Sequence, residues 1–201
     1  MKVFLDTEFT GLHQYTSLLS IALVDEDGRH FYAEISDYDY TQMDEWLLEN
    51  IMNNMLYNVE HFTATRFKDN LKMDKSMYSS YSVEMKGPIN NVREKLKQWL
   101  GQYDKVEIWS DCLSYDWVLF NNLFGNAFNI PKNVYYIPFD ICTMFKMQNI
   151  DPDISREKFI KDRIDNIESL NMSIEKHNAL WDAYVIRECF YKLIEQVDNK
   201  N

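Results

Sequence analysis

Leu18-Leu19-Ser20-Ile21-Ala22-Leu23-Val24-Asp25, then Asp27-Gly28, then the alternating run over residues 29–35, reads as a buried strand, a tight turn and a second strand. Asp-Gly between two apolar runs is a strong hairpin signal, because the favoured two-residue turns need positive φ. Outward from this hairpin toward the N-terminus, residues 2–9 read as another short strand. Three consecutive strands with short links favour an antiparallel meander. Past residue 35 the pattern changes. Residues 43–55 have helical spacing, with Trp46, Leu47, Ile51 and Met55 along one face. Residues 57–89 are irregular and polar. Residues 92–100 predict an amphipathic helix closed by Gly101. Next come a strand over 106–109, a helix over 115–124 before Gly125, a strand over 134–138 and a helix over about 140–148. Residues 151–176 are charged and show no assignable element. A long helix is expected over about 179–197. This order implies an α/β fold, with a mixed five-stranded sheet of three antiparallel and two parallel strands, flanked by helices.

The chain of 201 residues fits one domain, 1–201, large enough for a sizeable core. Hydrophobic residues at 46% and aromatics at 15% exclude a disordered chain. With five Gly and four Pro, no flexible linker is expected. Asp6 comes too early for an apolar leader, and the short apolar runs leave no membrane span. Cys112, Cys142 and Cys189 are odd in number and far apart. They read as buried free thiols of a cytoplasmic protein, not a disulfide frame or a zinc site. A net charge of −11 argues, taken alone, against a nucleic-acid partner. Clustered acids neutralised by metal ions weaken that objection. So does the stretch 61–88, where Arg66, Lys68, Lys72, Lys75 and Lys86 mix with Phe62, Phe67, Tyr78 and Tyr81. Cations among rings suit a single-stranded nucleic acid.

Asp6 and Glu8 are two apart on the first strand, so both carboxylates point to one face. Val3, Leu5, Thr7 and Phe9 face the other way. Two like charges on a central strand repel, and burial sharpens the conflict; a divalent cation would relieve it. Taken alone, the pair is better read as an exposed strand face, where it is harmless. Asp182 adds weight. On the last helix Ala179, Ala183, Ile186, Phe190, Leu193 and Val197 form an apolar stripe, and at about 100° per residue Asp182 falls inside it. An acid there needs a partner. His177 lies five residues earlier, with Asn178 as candidate N-cap between them. From the loop before the helix, His177 reaches the same site and suits a general base. His13, His30 and His61 read as surface or core residues. A further acid comes from Asp111 or Asp116, at the end of a strand and one turn into the following helix; residue physics does not separate the two. Hard oxygen ligands point to two Mg²⁺ or Mn²⁺ ions about 4 Å apart, a known clamp for phosphodiester hydrolysis.

Asp6-Thr7-Glu8-Phe9-Thr10-Gly11-Leu12 resembles the first motif of the DEDD exonuclease superfamily, which includes RNase T, oligoribonuclease and proofreading exonucleases. Tyr115-Asp116-Trp117-Val118-Leu119 resembles the second motif. His177-Asn178-Ala179-Leu180-Trp181-Asp182 resembles the third in its His-containing form, DEDDh. The chain is most similar to a small bacterial exoribonuclease subgroup first described in mycobacteria, where Asp44-Glu45-Trp46-Leu47-Leu48-Glu49-Asn50 has a counterpart. The resemblance implies an RNase H-like fold and 3′–5′ trimming of single-stranded RNA. It also implies Asp6, Glu8, Asp116 and Asp182 as metal ligands, with His177 as base. Phe9, Thr10, Gly11, Leu12 and Tyr115 would then meet the terminal nucleotide, and a homodimer is expected. Cys112 stands where the second motif often has Asn. The alternatives are a DNA exonuclease of the same fold, which contacts to the 2′-OH would distinguish, and an inactive binding module of that fold. All four acids expected of an active enzyme are present.

Overall fold

A computed structural model describes residues 1–57, 82–170 and 174–198. The predicted meander is present as β1 (Lys2–Phe9), β2 (Leu18–Asp25) and β3 (His30–Ile35), paired antiparallel. The Asp27-Gly28 turn closes the hairpin, with Gly28 at φ 83° and Asp25 accepting from the N–H groups of Asp27 and Arg29. Then follow α1 (Glu45–Asn50), β4 (Val83–Gly87), α2 (Ile89–Leu100), β5 (Glu107–Ser110) and α3 (Ser114–Leu123). The order ends with β6 (Phe139–Asp140), α4 (Ile141–Met147), α5 (Arg156–Phe159), α6 (Ile164–Glu168) and α7 (Ala179–Asp198). The sheet runs β4-β3-β2-β1-β5-β6, with β4, β5 and β6 parallel to their inner neighbours. This mixed α/β architecture is compatible with an RNase H-like fold.

The sheet has six strands, not five. The added strand is β4, inside the stretch read as irregular; as an edge strand its residues are half-buried or exposed, so no buried run marks it. The strand expected over 134–138 is reduced to a bridge at Val134 to Val106, and the pairing with β5 is made by Phe139 and Asp140. The helix expected over 43–55 stops at Asn50 and continues as a 3₁₀ turn, Met52–Asn54. Trp46 leaves its buried face and is 55% exposed, because α1 is too short to present more than Leu47 inward. Val197 likewise sits at the exposed end of α7. Of the cysteines, Cys189 is buried, Cys142 half-buried and Cys112 exposed, which corrects the expectation of three buried thiols. Cys112 lies on the tight strand-to-helix turn at φ 52°. Arg66, Lys68, Lys72, Lys75, Phe62, Phe67, Tyr78, Tyr81 and His61 lie outside the described residues.

Two cores flank the sheet. Val3, Leu5, Ile21, Leu23, Phe31 and Ala33 pack against α2 and α3 on one side. Phe4, Ala22, Val24 and Tyr32 pack against α7, with Phe145 of α4 beneath. Alternation along β1 therefore decides which side each residue serves. Phe4, Asp6 and Glu8 share the face turned to α7.

Candidate active site

Asp6 and Glu8 project from the end of β1, and a register shift between Glu8 and Phe9 ends the regular pairing with β2 there. The N-terminal part of α7 crosses this face. Asn178 caps α7, its Oδ1 accepting from Leu180 N–H at 3.0 Å, as its place in the sequence suggests. The cap sets the helical phase, and Asp182 then faces the acids of β1. His177 sits immediately outside the helix at φ 65°, a conformation costing a non-glycine residue on the order of 1–3 kcal/mol. Its N–H donates to Asp182 Oδ2 at 3.0 Å. Ligand atoms of Glu8, His177 and Asp182 all lie within 4.8 Å of one another.

Asp116 arrives from the first turn of α3. Thr7 Oγ1 donates to its Oδ1 at 2.5 Å, and Ser110 Oγ donates to its Oδ2 at 3.3 Å. Asp111, the competing acid, is held elsewhere. Arg156 grips it with two bonds, Nε to Oδ2 at 2.6 Å and Nη2 to Oδ1 at 2.8 Å. The Cys142 thiol donates to the same carboxylate at 3.0 Å. Geometry thus separates two acids that sequence spacing leaves equivalent.

The electrostatics are those of crowded, uncompensated acids. Burial raises Asp6 well above the ordinary carboxylate range, and the charges of Asp182, Asp116, Glu8 and Asp111 add to it. Burial, then Asp182 and Asp116, push Glu8 up to about 8. Asp182 is raised to about 7 by burial, against the opposing His177 N–H bond. Asp116 is raised to about 6 by burial, while the Thr7 and Ser110 bonds pull it back. Among the described residues, no lysine or arginine forms an ion pair with any of the four. His177 is lowered by burial and by Lys176. The Trp46 ring stands edge-on to its imidazole, with centroids 6.1 Å apart. A cavity of about 540 Å³ adjoins the acids, walled by Asp6, Asp182, Lys176 and the segment 152–157.

The residues expected to meet a nucleotide are distributed unevenly. Phe9 and Tyr115 stack on each other, centroids 5.4 Å apart. Thr10 is buried and bonds to Gln42, Thr16 and Ser17, so its side chain closes the loop rather than facing the cavity. Gly11 packs near the His13 ring, where an added Cβ would lie 3.0 Å from it. Leu12 is 77% exposed. His13 is exposed and His30 is buried against Tyr184 and Glu84, in line with their reading as surface and core residues. Sequence reasoning missed Thr7 and Ser110 as partners of Asp116, and Arg156 as keeper of Asp111. Thr7, between the two acids, carried a weak signal; Arg156, in an unassigned stretch, carried none.

A family model described as the 3′–5′ exoribonuclease Rv2179c-like domain matches residues 1–194. The 3′–5′ exoribonuclease Rv2179c of Mycobacterium tuberculosis strain H37Rv is 24% identical over 136 residues, 67% of this chain and 67% of that protein. The 3′–5′ exoribonuclease MT2234.1 of strain CDC 1551 matches to the same extent.

Proposed function

The chain belongs to the Rv2179c-like 3′–5′ exoribonuclease family, and from that premise we propose how its acids and His177 carry the reaction. It is a hydrolase acting on RNA phosphodiester bonds from the 3′ end. Asp6, Glu8, Asp116 and Asp182 would hold two divalent cations, Mg²⁺ or Mn²⁺. The donor set fits: it is all oxygen, crowded, raised in pKa and free of ion pairs among the described residues. Bound there, the ions would neutralise the carboxylates, acidify a water and stabilise the leaving 3′ oxygen.

The chain's own groups do the rest. His177 takes the proton of the attacking water. Its lowered pKa keeps the imidazole neutral near pH 7, the form able to accept a proton. Asp182 holds the His177 backbone, and Thr7 and Ser110 orient Asp116. Phe9, Gly11, Leu12 and Tyr115 would border the terminal nucleotide. The observation that carries this reading is the convergence of Glu8, His177 and Asp182 within 4.8 Å.

Single-stranded RNA 3′ ends are the proposed substrate, with DNA as the alternative. One domain over residues 1–201, a cytoplasmic location and a homodimer belong to the same proposal. Among the described residues no helix is long and apolar enough to cross a membrane. Matched RNA and DNA oligomers, labelled at either end and digested with Mg²⁺ or with EDTA, test the reading. RNA labelled at its 5′ end should shorten stepwise, and RNA labelled at its 3′ end should release labelled mononucleotide at once. EDTA should stop both. Hydrolysis persisting in EDTA, or DNA cut in preference to RNA, would refute it.

A further inference from the structure

Asn54 touches the chain on both sides of His177. Its side-chain amide donates to the carbonyl of Lys176 at 3.1 Å, and its main-chain carbonyl accepts from the side-chain amide of Asn178 at 2.7 Å. The same Asn54 amide reaches back to the Asn50 carbonyl of α1 at 2.7 Å. The turn carrying Asn54 is seated by Met52 and Met55, which pack with Leu47, Ile51 and Leu19 of β2. Asn178 is itself buried, and its amide also lies 3.4 Å from the Tyr32 hydroxyl, which donates to the buried Glu34 at 2.9 Å. The loop before α7 is therefore clasped from the α1 side and tied through β3 to the sheet. His177 occupies the middle of that clasp, in a backbone conformation with positive φ.

We propose that Asn54 is a positioning residue for the reaction, holding the loop so that His177 faces the Glu8–Asp182 acids. This rests on the assignment of His177 as proton acceptor. A general base acts only within hydrogen-bond reach of the proton it takes, so a shift of about 1 Å is costly. Asn54 touches none of the four proposed metal ligands in the contacts described, and its effect should fall on turnover, not on metal binding.

The test is a double-mutant cycle with Asn54→Ala, His177→Ala and the pair, measuring kcat and KM on an RNA oligomer with Mg²⁺. The rise in melting temperature on adding Mn²⁺ reports the metal ligands separately. Asn54→Ala should lower kcat about tenfold with KM changed less than about twofold, and should keep the Mn²⁺ response. In the His177→Ala background it should lower kcat no further. An unchanged kcat for Asn54→Ala, or the same loss in both backgrounds, would overturn the proposal. If His177→Ala alone left kcat intact, the base assignment would fail first and the positioning role with it. Should Asn54→Ala fail to fold, Asn178→Ser decides: Ser keeps an N-cap acceptor but is too short to clasp Asn54. Its loss of about tenfold must also vanish without His177, and a loss in both backgrounds overturns the idea.

Discussion

Two clusters of ionisable groups lie near one cavity, Asp182 of the first and Asp111 and Cys142 of the second lining it, and they have opposite fates. Glu8, His177 and Asp182 bring ligand atoms within 4.8 Å of one another, and so do Asp111, Asp140 and Cys142. The second group is already satisfied. Arg156 neutralises Asp111, and the Cys142 thiol donates to it. Asp140 caps α4, accepting from Cys142 N–H at 2.7 Å. Burial and Asp111 push the Cys142 thiol up to about 12, so no thiolate is on offer near neutral pH. Among the described residues the first group, joined by Asp6 and Asp116, forms no ion pair with a lysine or arginine. Proximity of acids is common to both; charge left uncompensated is what marks the site.

The sharpest way to break this comparison is to remove one acid from each group. Asp6→Ala or Asp182→Asn should lower Mg²⁺-dependent turnover by roughly 10⁴-fold and abolish the stabilisation by Mn²⁺. Full activity in either variant would remove the two-metal assignment. His177→Ala should lower kcat by about 10²–10⁴ while keeping the Mn²⁺ melting shift. Steady-state kinetics beside thermal melts would separate these two losses.

Metal removal should expose the electrostatic difference. Glu8, Asp182 and Asp116 are raised to about 8, 7 and 6, so the metal-free folded state holds protons that the unfolded chain has released. Their contribution to stability is fully present below the unfolded carboxylate pKa of about 4 and is lost as pH rises through the range 6 to 8. In EDTA, the melting temperature should therefore fall from pH 5 to pH 8 by about 2–4 °C for each kcal/mol lost. Mg²⁺ or Mn²⁺ should restore more stability at pH 8 than at pH 5. A metal-free melting temperature that rises over this range would contradict the assignment.

The compensated group should answer more weakly. Asp111→Asn leaves Arg156 without its anion and should cost roughly 1–3 kcal/mol in a denaturant titration, yet keep the Mn²⁺ response. Asp140→Asn should change least, since Asn caps a helix about as well as Asp, with kcat within about twofold of wild type. A large loss of metal response in either variant would mean that the second group binds an ion after all.

Local periodicity made much of this protein legible. Alternation in β1 put Asp6 and Glu8 on one face, the stripe on α7 turned Asp182 inward, and Asp27-Gly28 announced the meander. These are readings of period two and period 3.6, which a strand or helix imposes on its own neighbours. The second-motif resemblance preferred Asp116 to Asp111, but only tertiary structure gave the two acids different surroundings. Thr7 and Asp116 are 109 positions apart, and Arg156 and Asp111 are 45 apart. The same holds for the clasp of Asn54 on Asn178, for Trp46 turning out toward His177, and for β4 as an edge strand with no fully buried face. Bonds and pairings between distant segments leave no period in the chain, because each partner's own neighbours are indifferent to it. Only folding brings Arg156 to Asp111 and, among the described residues, leaves Asp6, Glu8, Asp116 and Asp182 without a lysine or arginine ion pair.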